Sequence, residues 1–520
     1  MNDEFMATNN EYHTGLSFWK CDTTRTMIRP SRARFLIEKR PQPLVLSIPQ
    51  PECDAYELYR RIVLPNRPSF LLESGKGSEV VAHYTFMGSD PYLVLSGKDD
   101  HYELRTGEVS TVKQGDPFDA LAELLRASRI ERPDGVPPFF GGAVGFLSYD
   151  VARRFETIPS QALDDLHLPD LQFAFVDLLA ALDHHTKTLH LIFAPPLDRM
   201  LGEPREKLYR EGCDRLAELE ARLSVASRTR KTELSTGLLE LSADQPGAAY
   251  MERVLKCQDY IRAGDIYQAN LSHRFTIDLG GSTGLFEERP GPPLYARLRK
   301  VNPSPFSALL EFENVSLVSS SPERLVRLQD RRVDTRPIAG TRPRGRSASE
   351  DRQLAEELLT NPKERAEHLM LVDLERNDLG RVCRFGTVRV DEFMVVERYS
   401  HVSHIVSNIT GAMRDELDGF DLIRAVFPGG TITGVPKIRC MEVIESLEPV
   451  RRGPYTGSLG YLSWSGDLDL NIVIRTLVLT DGRGYLQVGA GIVADSDPSR
   501  EYEETLFKAE ALVQALEADG

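Results

Sequence analysis

The chain has 520 residues, 27% charged and 41% hydrophobic, the balance of an ordinary globular protein larger than one small core. Its net charge of -15 argues against a general nucleic-acid or membrane-surface role, and no apolar run approaches the roughly 20 residues of a membrane span. Six cysteines without C-x-x-C spacing read as reduced thiols, and the acidic opening Met1-Asn-Asp-Glu4 is unlike a basic targeting signal, so a cytoplasmic location is expected.

Residues 1–45 read as a polar extension, with Arg25, Arg29, Arg32, Arg34, Lys39 and Arg40 as a solvated cluster. From 46 to 235 short β-rich runs alternate with turns and helices; Leu44–Ile48 and Phe173–Leu182 are expected strands, and 203–230 a charged helix. Ser235–Gly247, rich in Ser, Gly and Ala, marks the boundary to a denser region over 246–518. One echo crosses it: Gly142-Ala-Val-Gly-Phe-Leu-Ser-Tyr149 and Gly457-Ser-Leu-Gly-Tyr-Leu-Ser-Trp464 match class for class. A chance match of two glycine-bent strands and a duplicated sheet explain it equally well. Either way, both halves are expected to build large antiparallel sheets, because short turns such as Thr480-Asp-Gly-Arg-Gly484 join the strands.

Ser347-x-x-Glu350 reads as a capping box, and Asn361-Pro362 as the cap and first residue of the next helix. There Glu367 heads an apolar stripe with Leu371 and Leu374, so it is either an exposed acid at a helix start or a desolvated one needing a cation. Asp497-Pro498 opens the last helix, where Glu501, Glu504 and Lys508 share a face; a Glu504–Lys508 pair would account for them as well. Two acidic helix entries suit Mg2+, which takes few carboxylates and keeps waters. Gly429-Gly430-Thr431 and Gly489-Ala490-Gly491 either offer backbone N–H groups to a carboxylate or are plain turns. Arg475, inside the expected apolar strand Ile472–Leu479, needs a carboxylate from protein or ligand, while His404 in the run Tyr399–Ile409 reads as a packed histidine. No zinc pattern, nucleophile elbow or Walker loop appears.

Taken together these runs resemble the chorismate-utilising enzymes, which include the first components of anthranilate and aminodeoxychorismate synthase, isochorismate synthase and salicylate synthase. The resemblance is densest over Tyr250–Leu516, in Gly264-Asp-Ile-Tyr-Gln268, Ser321-Pro-Glu-Arg324, Arg336-Pro-Ile-Ala-Gly-Thr341, Glu367-His-Leu-Met-Leu-Val-Asp373, Arg376-Asn-Asp378 and Ile474-Arg-Thr476. It implies an α+β fold of large antiparallel sheets packed as a β-sandwich with helices outside. It implies that Glu367 and Glu504, with Glu501 through water, hold Mg2+ against the ring carboxylate of chorismate. Tyr455, Arg475, Lys508 and the backbone around Gly430, Gly489, Ala490 and Gly491 would bind substrate. Glu323 would be the general acid for the C4 hydroxyl, with His404 and Thr431 lining the ring. Gln268 stands where water-using relatives carry a lysine base, so the implied nucleophile is ammonia, supplied by a separate glutamine amidotransferase subunit.

Two aminations fit. Ala339 and Thr431 are similar to anthranilate synthase, since lysine-type aminodeoxychorismate synthases carry Lys and Ser there. Pro428–Gly434, Asp469–Arg475, Tyr455–Ser458, Gly142–Asp150, Leu163–Leu166 and Asn302–Ser307 resemble the aminodeoxychorismate type, which is the expected activity, serving 4-aminobenzoate and folate synthesis. Anthranilate formation for tryptophan synthesis is the alternative, and a degenerate non-catalytic relative is a third. Leu71-Leu-Glu73-Ser74 with Pro305, Phe306 and Ser307 resembles the family's tryptophan pocket, or is a buried structural motif.

Overall fold

The computed structural model describes residues 28–74, 83–224, 241–279, 289–398 and 402–517. Two 12-stranded sheets form the body, and every strand pairing within them is antiparallel. The first is centred on Ser69–Glu73 beside Phe306–Glu311, flanked by Tyr84–Ser89 and Ser316–Ser321, then Leu178–Asp183 and Thr476–Thr480, then Thr188–Phe193 and Arg483–Ile492. The second is centred on Gly142–Leu147 beside Ser458–Ser463, flanked by Leu171–Val176 and Leu468–Ile472, then Leu93–Lys98 and Arg324–Gln329, then His101–Thr106 and Arg332–Thr335. Read outward from either centre, strands of the first half mirror strands of the second in the same chain order.

The glycine echo lies at that centre. Its two copies pair with each other, Gly145 opposite Gly460, and a side chain at either glycine would run into the backbone of the next strand. The duplicated arrangement is therefore a property of the fold. The expected strand over Phe173–Leu182 is two strands, because at Asp177 the chain leaves one sheet for the other; at Arg475 the second half makes the same crossing. The turn after Thr480 is a tight hairpin with Asp481 at φ 49° and Gly482 at φ 73°, as a two-residue loop requires.

The sheets pack through their apolar inner faces, where Phe86 of the first meets Phe139 at 5.5 Å and Tyr461 of the second at 5.3 Å. Helices cover the outer face of the first sheet through Leu208, Leu216, Leu294, Leu298 and Leu512. The sequence boundary at 235–246 separates two stretches of chain, yet each sheet takes strands from both. From Ile28 onward the N-terminal segment packs on the body rather than trailing from it: the helix Arg32–Ile37 buries Phe35 under the Arg205 guanidinium, 4.7 Å from the ring centroid. Arg25 lies outside the described residues. The charged helix expected over 203–230 spans Arg205–Ser224, its last residues falling outside the described chain. Among the described residues no helix is long and apolar enough to cross a membrane.

Candidate active site

Two helix starts carry the acids. Asn361 caps the helix Pro362–Gly380 by accepting from Lys363 and Glu364 N–H, with Pro362 in the first turn. Asp497 Oδ1 likewise accepts from Ser499 and Arg500 N–H at the start of Pro498–Glu517. The third predicted cap is only half a box: Ser347 accepts from Glu350 N–H, but the Glu350 carboxylate turns to Arg346 N–H at 2.7 Å. Glu367 is partly buried; burial first, then Glu364, Asp495 and Glu501, raises its carboxyl pKa, against Lys363 at 4.0 Å. Burial and then the Glu504 charge likewise raise Glu501, although Ser496 and Lys508 pull it down. Glu504 is half-exposed and paired with Lys508 at 2.7 Å. Among the described residues no group of three or more His, Cys, Asp or Glu side chains forms a ready-made metal shell. Mutually repelling carboxyls at two helix starts do fit a hard cation that takes few protein ligands and leaves positions for water and substrate.

Glu323, at the turn between Ser316–Ser321 and Arg324–Gln329, is buried with one carboxyl oxygen lacking any hydrogen-bond partner among the described residues. Desolvation pushes its pKa to about 7, partly countered by the Thr431 hydroxyl, the Ile338 backbone and Lys508. The Thr431 hydroxyl is close enough to act on that carboxyl, yet among the described residues it too lacks a partner of hydrogen-bond geometry. Behind Glu323 stands Glu375, a residue that sequence reasoning missed. Thr335 Oγ1 has one proton and two acceptors, the Leu325 carbonyl at 2.9 Å and Glu375 Oε2 at 2.6 Å. The carbonyl can only accept, so both contacts are satisfied together when Glu375 is protonated and donates to Thr335. Burial and the neighbouring Glu323 and Asp378 hold its pKa well above the usual carboxylate range. The available signal was its place on the buried stripe with Leu371 and Leu379, where an acid is out of character.

The opposite wall is a strand pair. Gln268–Asp278 runs beside Arg483–Ile492, bringing Asn270 opposite Gly491 and Ser272 opposite Gly489. A Cβ at Gly489 would come within 2.6 Å of Asn270 Oδ1 and 2.9 Å of the Tyr455 hydroxyl; one at Gly491 would come within 2.5 Å of Gln268 Nε2. Lys508 Nζ donates to the Gly489 carbonyl at 3.0 Å, so it faces this wall as well as Glu504. Ala490 points the other way, into an apolar cluster with Tyr250 and Val254, and only its backbone can reach a ligand. A Cβ at Gly430 would strike Leu374, so its smallness serves packing against the helix Pro362–Gly380.

Arg475 does not lie within a strand as expected. It occupies a left-handed bend, φ 52°, between Leu468–Ile472 and Thr476–Thr480. Desolvation lowers its pKa, against Tyr455 and Glu504, and among the described residues no side chain hydrogen-bonds its guanidinium. Below this wall Glu448 accepts from Ser272 N–H and Oγ, both at 2.8 Å, and from Arg452 at 2.7 and 2.9 Å. Arg452 in turn donates to Asn270 and Ile432 carbonyls. This buried pair ties together the strand, the glycine-rich turn and the Tyr455 loop. Glu448→Ala strands a buried guanidinium and is expected to cost about 3–5 kcal/mol, read as a lowered urea midpoint.

His404 is buried on the strand Val402–Ala412, its Nδ1 3.1 Å from the Gly340 carbonyl and 3.0 Å from Thr341 Oγ1. Desolvation takes its pKa down to about 4, so it is neutral. Tyr399, where its run was expected to begin, lies outside the described residues. Ala339 pairs with Ile405 on the adjacent strand, next to Ile338. Away from this site, Glu73 faces Ser307 across a strand pair, and its carboxylate is held by Arg299 at 2.5 and 2.9 Å and the Tyr295 hydroxyl at 2.7 Å. Ser74 and Ser307 hydroxyls are spent on the Tyr84 and Ser304 carbonyls; Pro305 is buried and Phe306 stacks under Arg324.

The site thus joins acidic helix entries, a buried acid of raised pKa, a cation at a bend and a glycine wall. Aminodeoxychorismate synthase component 1 of Bacillus subtilis (strain 168) is 43% identical over 480 residues, covering 92% of this chain and 97% of that protein. Anthranilate synthase component 1 of Thermus thermophilus is 46% identical over 456 residues, covering 86% and 92%. The crystal structure of anthranilate synthase component I from Streptococcus pneumoniae TIGR4 superposes with a TM-score of 0.72 at 33% identity, covering 83% of this chain and 92% of that one. The family described as chorismate binding enzyme matches residues 67–514, and the chain belongs to it.

Proposed function

We propose that this enzyme aminates chorismate with ammonia to 4-amino-4-deoxychorismate, with ammonia delivered by a glutamine amidotransferase subunit. The observation that carries amination is the pairing of a buried acid whose pKa is raised to about 7, Glu323, with an amide, Gln268, where a base would be needed to activate water. Glu323 donates its proton to the departing hydroxyl. Arg475 and the backbone of the glycine wall take one substrate carboxylate, and Tyr455 closes over it. Glu367 and Glu504, with Glu501 behind them, would hold Mg2+. When bound, the ion neutralises the ring carboxylate. Neutral His404, anchored by the Gly340 carbonyl and the Thr341 hydroxyl, lines the ring.

Placement of the amine at C4 is supported by the sequence runs around Pro428, Asp469 and Asn302 and by the likeness to the Bacillus subtilis protein over nearly its whole length. Anthranilate formation is a second reading, favoured by Ala339 and by the likeness to the Thermus thermophilus protein. The deciding experiment incubates the pure chain with chorismate, Mg2+ and ammonium, with and without aminodeoxychorismate lyase. The expected product is aminodeoxychorismate, converted to 4-aminobenzoate only with the lyase; direct release of anthranilate and pyruvate would replace the first reading by the second. In the same assay glutamine alone should support no turnover. Without ammonia the wild-type chain should remain unmodified by mass spectrometry, since Ala339 offers no amine; Ala339→Lys should acquire a chorismate-derived adduct.

A further inference from the structure

On the strand Gln268–Asp278, residues two apart share a face, so Gln268 and Asn270 point the same way, over Gly491 and Gly489. Both carboxamide oxygens, Gln268 Oε1 and Asn270 Oδ1, are buried and lack any hydrogen-bond partner among the described residues. Buried amide acceptors are nearly always paired, so two orphans side by side mark a place for a donor that the chain itself does not supply. The Asn270 backbone is pinned, its N–H on the Thr433 carbonyl at 2.9 Å and its carbonyl on Arg452 at 2.6 Å. The orphaned Glu323 and Thr431 oxygens belong to the same site. Of the cations around the wall, Arg452 is paired with Glu448 and Lys508 with Glu504, which leaves Arg475 to disfavour a further positive charge.

We propose that the Gln268 and Asn270 side-chain oxygens form the seat for ammonia. Neutral ammonia has three N–H donors and one lone pair. Two donors on the amide oxygens hold the nitrogen, and the lone pair is left for the substrate ring. A water molecule could occupy the same seat, but neither amide can take a proton from it, so it stays a weak nucleophile. The seat therefore selects a nucleophile that is already competent. This assignment rests on the amination proposed above and adds Asn270, to which no role was attached.

The test is steady-state kinetics of the full-length enzyme with ammonium chloride as nitrogen source at fixed pH. Asn270→Leu removes the acceptor at similar volume and should raise KM for ammonium about tenfold or more while KM for chorismate stays within about twofold. Asn270→Asp, which restores an acceptor, should return KM for ammonium towards the wild-type value. If Asn270→Leu fails to fold, Asn270→Ser, whose oxygen falls short of the seat, carries the same expectation. Unchanged ammonium KM in folded variants, or a chorismate KM rising in step, overturns the seat while leaving amination intact. A wild-type enzyme that consumes chorismate without any dependence on ammonium overturns the amination, and the seat with it.

Discussion

Glu323→Gln is expected to lower kcat by about 10²–10⁴-fold, with chorismate binding little changed. The carboxyl is buried, one oxygen is unpaired, and desolvation has lifted its pKa to about 7. A group with that pKa keeps its proton in about half of the molecules at neutral pH and can release it to a leaving hydroxyl. The sign of the pH dependence follows. The acid form is present below about pH 7 and is lost as pH rises through it, so wild-type kcat should fall on the alkaline side of that point. The Gln variant has no proton to titrate, and its residual rate should be flat across the same range. A variant that keeps kcat and raises only KM would make Glu323 a binding group. Glu375 fits this picture: being neutral, it places no second charge beside Glu323 as that carboxyl becomes anionic.

Glu504→Gln is the second large effect. At present its carboxylate balances Lys508, and it adds to the repulsion felt by Glu501. Removing that charge from a site proposed to hold a divalent ion and an anionic substrate together should cut turnover at limiting Mg2+ by at least about a hundredfold. Excess Mg2+ should recover part of the loss, because the defect is one of affinity. Because Glu504 is half-exposed, the variant should unfold at the wild-type urea concentration. Turnover that is unaltered at limiting Mg2+ would exclude Glu504 from the metal's surroundings.

The legible parts of the site were those written locally. Asn361-Pro362 and Asp497-Pro498 announce helix starts because a cap and its helix are adjacent in sequence, and the acids that follow are placed by helical spacing alone. Glu323, Gln268 and Arg475 were legible through family motifs. What could not be read depends on distant partners. Gly430 looks like a plain turn glycine until Leu374 of the helix Pro362–Gly380 fills the space beside it. Glu448 and Arg452 look like an ordinary i, i+4 pair until Ser272 and the Asn270 carbonyl close around them. Arg475 seemed to lie in a strand because its neighbours are apolar, yet those neighbours belong to two sheets. The duplicated architecture showed in only one strand pair, where close backbone approach forces glycine on both copies; elsewhere burial constrains hydropathy and leaves identity free.

The mirrored strand order also bears on how the protein is made. Each sheet is joined at its middle by one strand from each half, Ser69–Glu73 with Phe306–Glu311 and Gly142–Leu147 with Ser458–Ser463. A nascent chain that has emerged only through its first half therefore presents both of these inner strands as raw edges, the second of them buried at every position in the finished fold. Such edges invite pairing with any other extended chain nearby. Their proper partners arrive late, the last only when translation has passed Ser463. Most of the polypeptide must wait, protected from its neighbours on the polysome, until almost the whole message has been read.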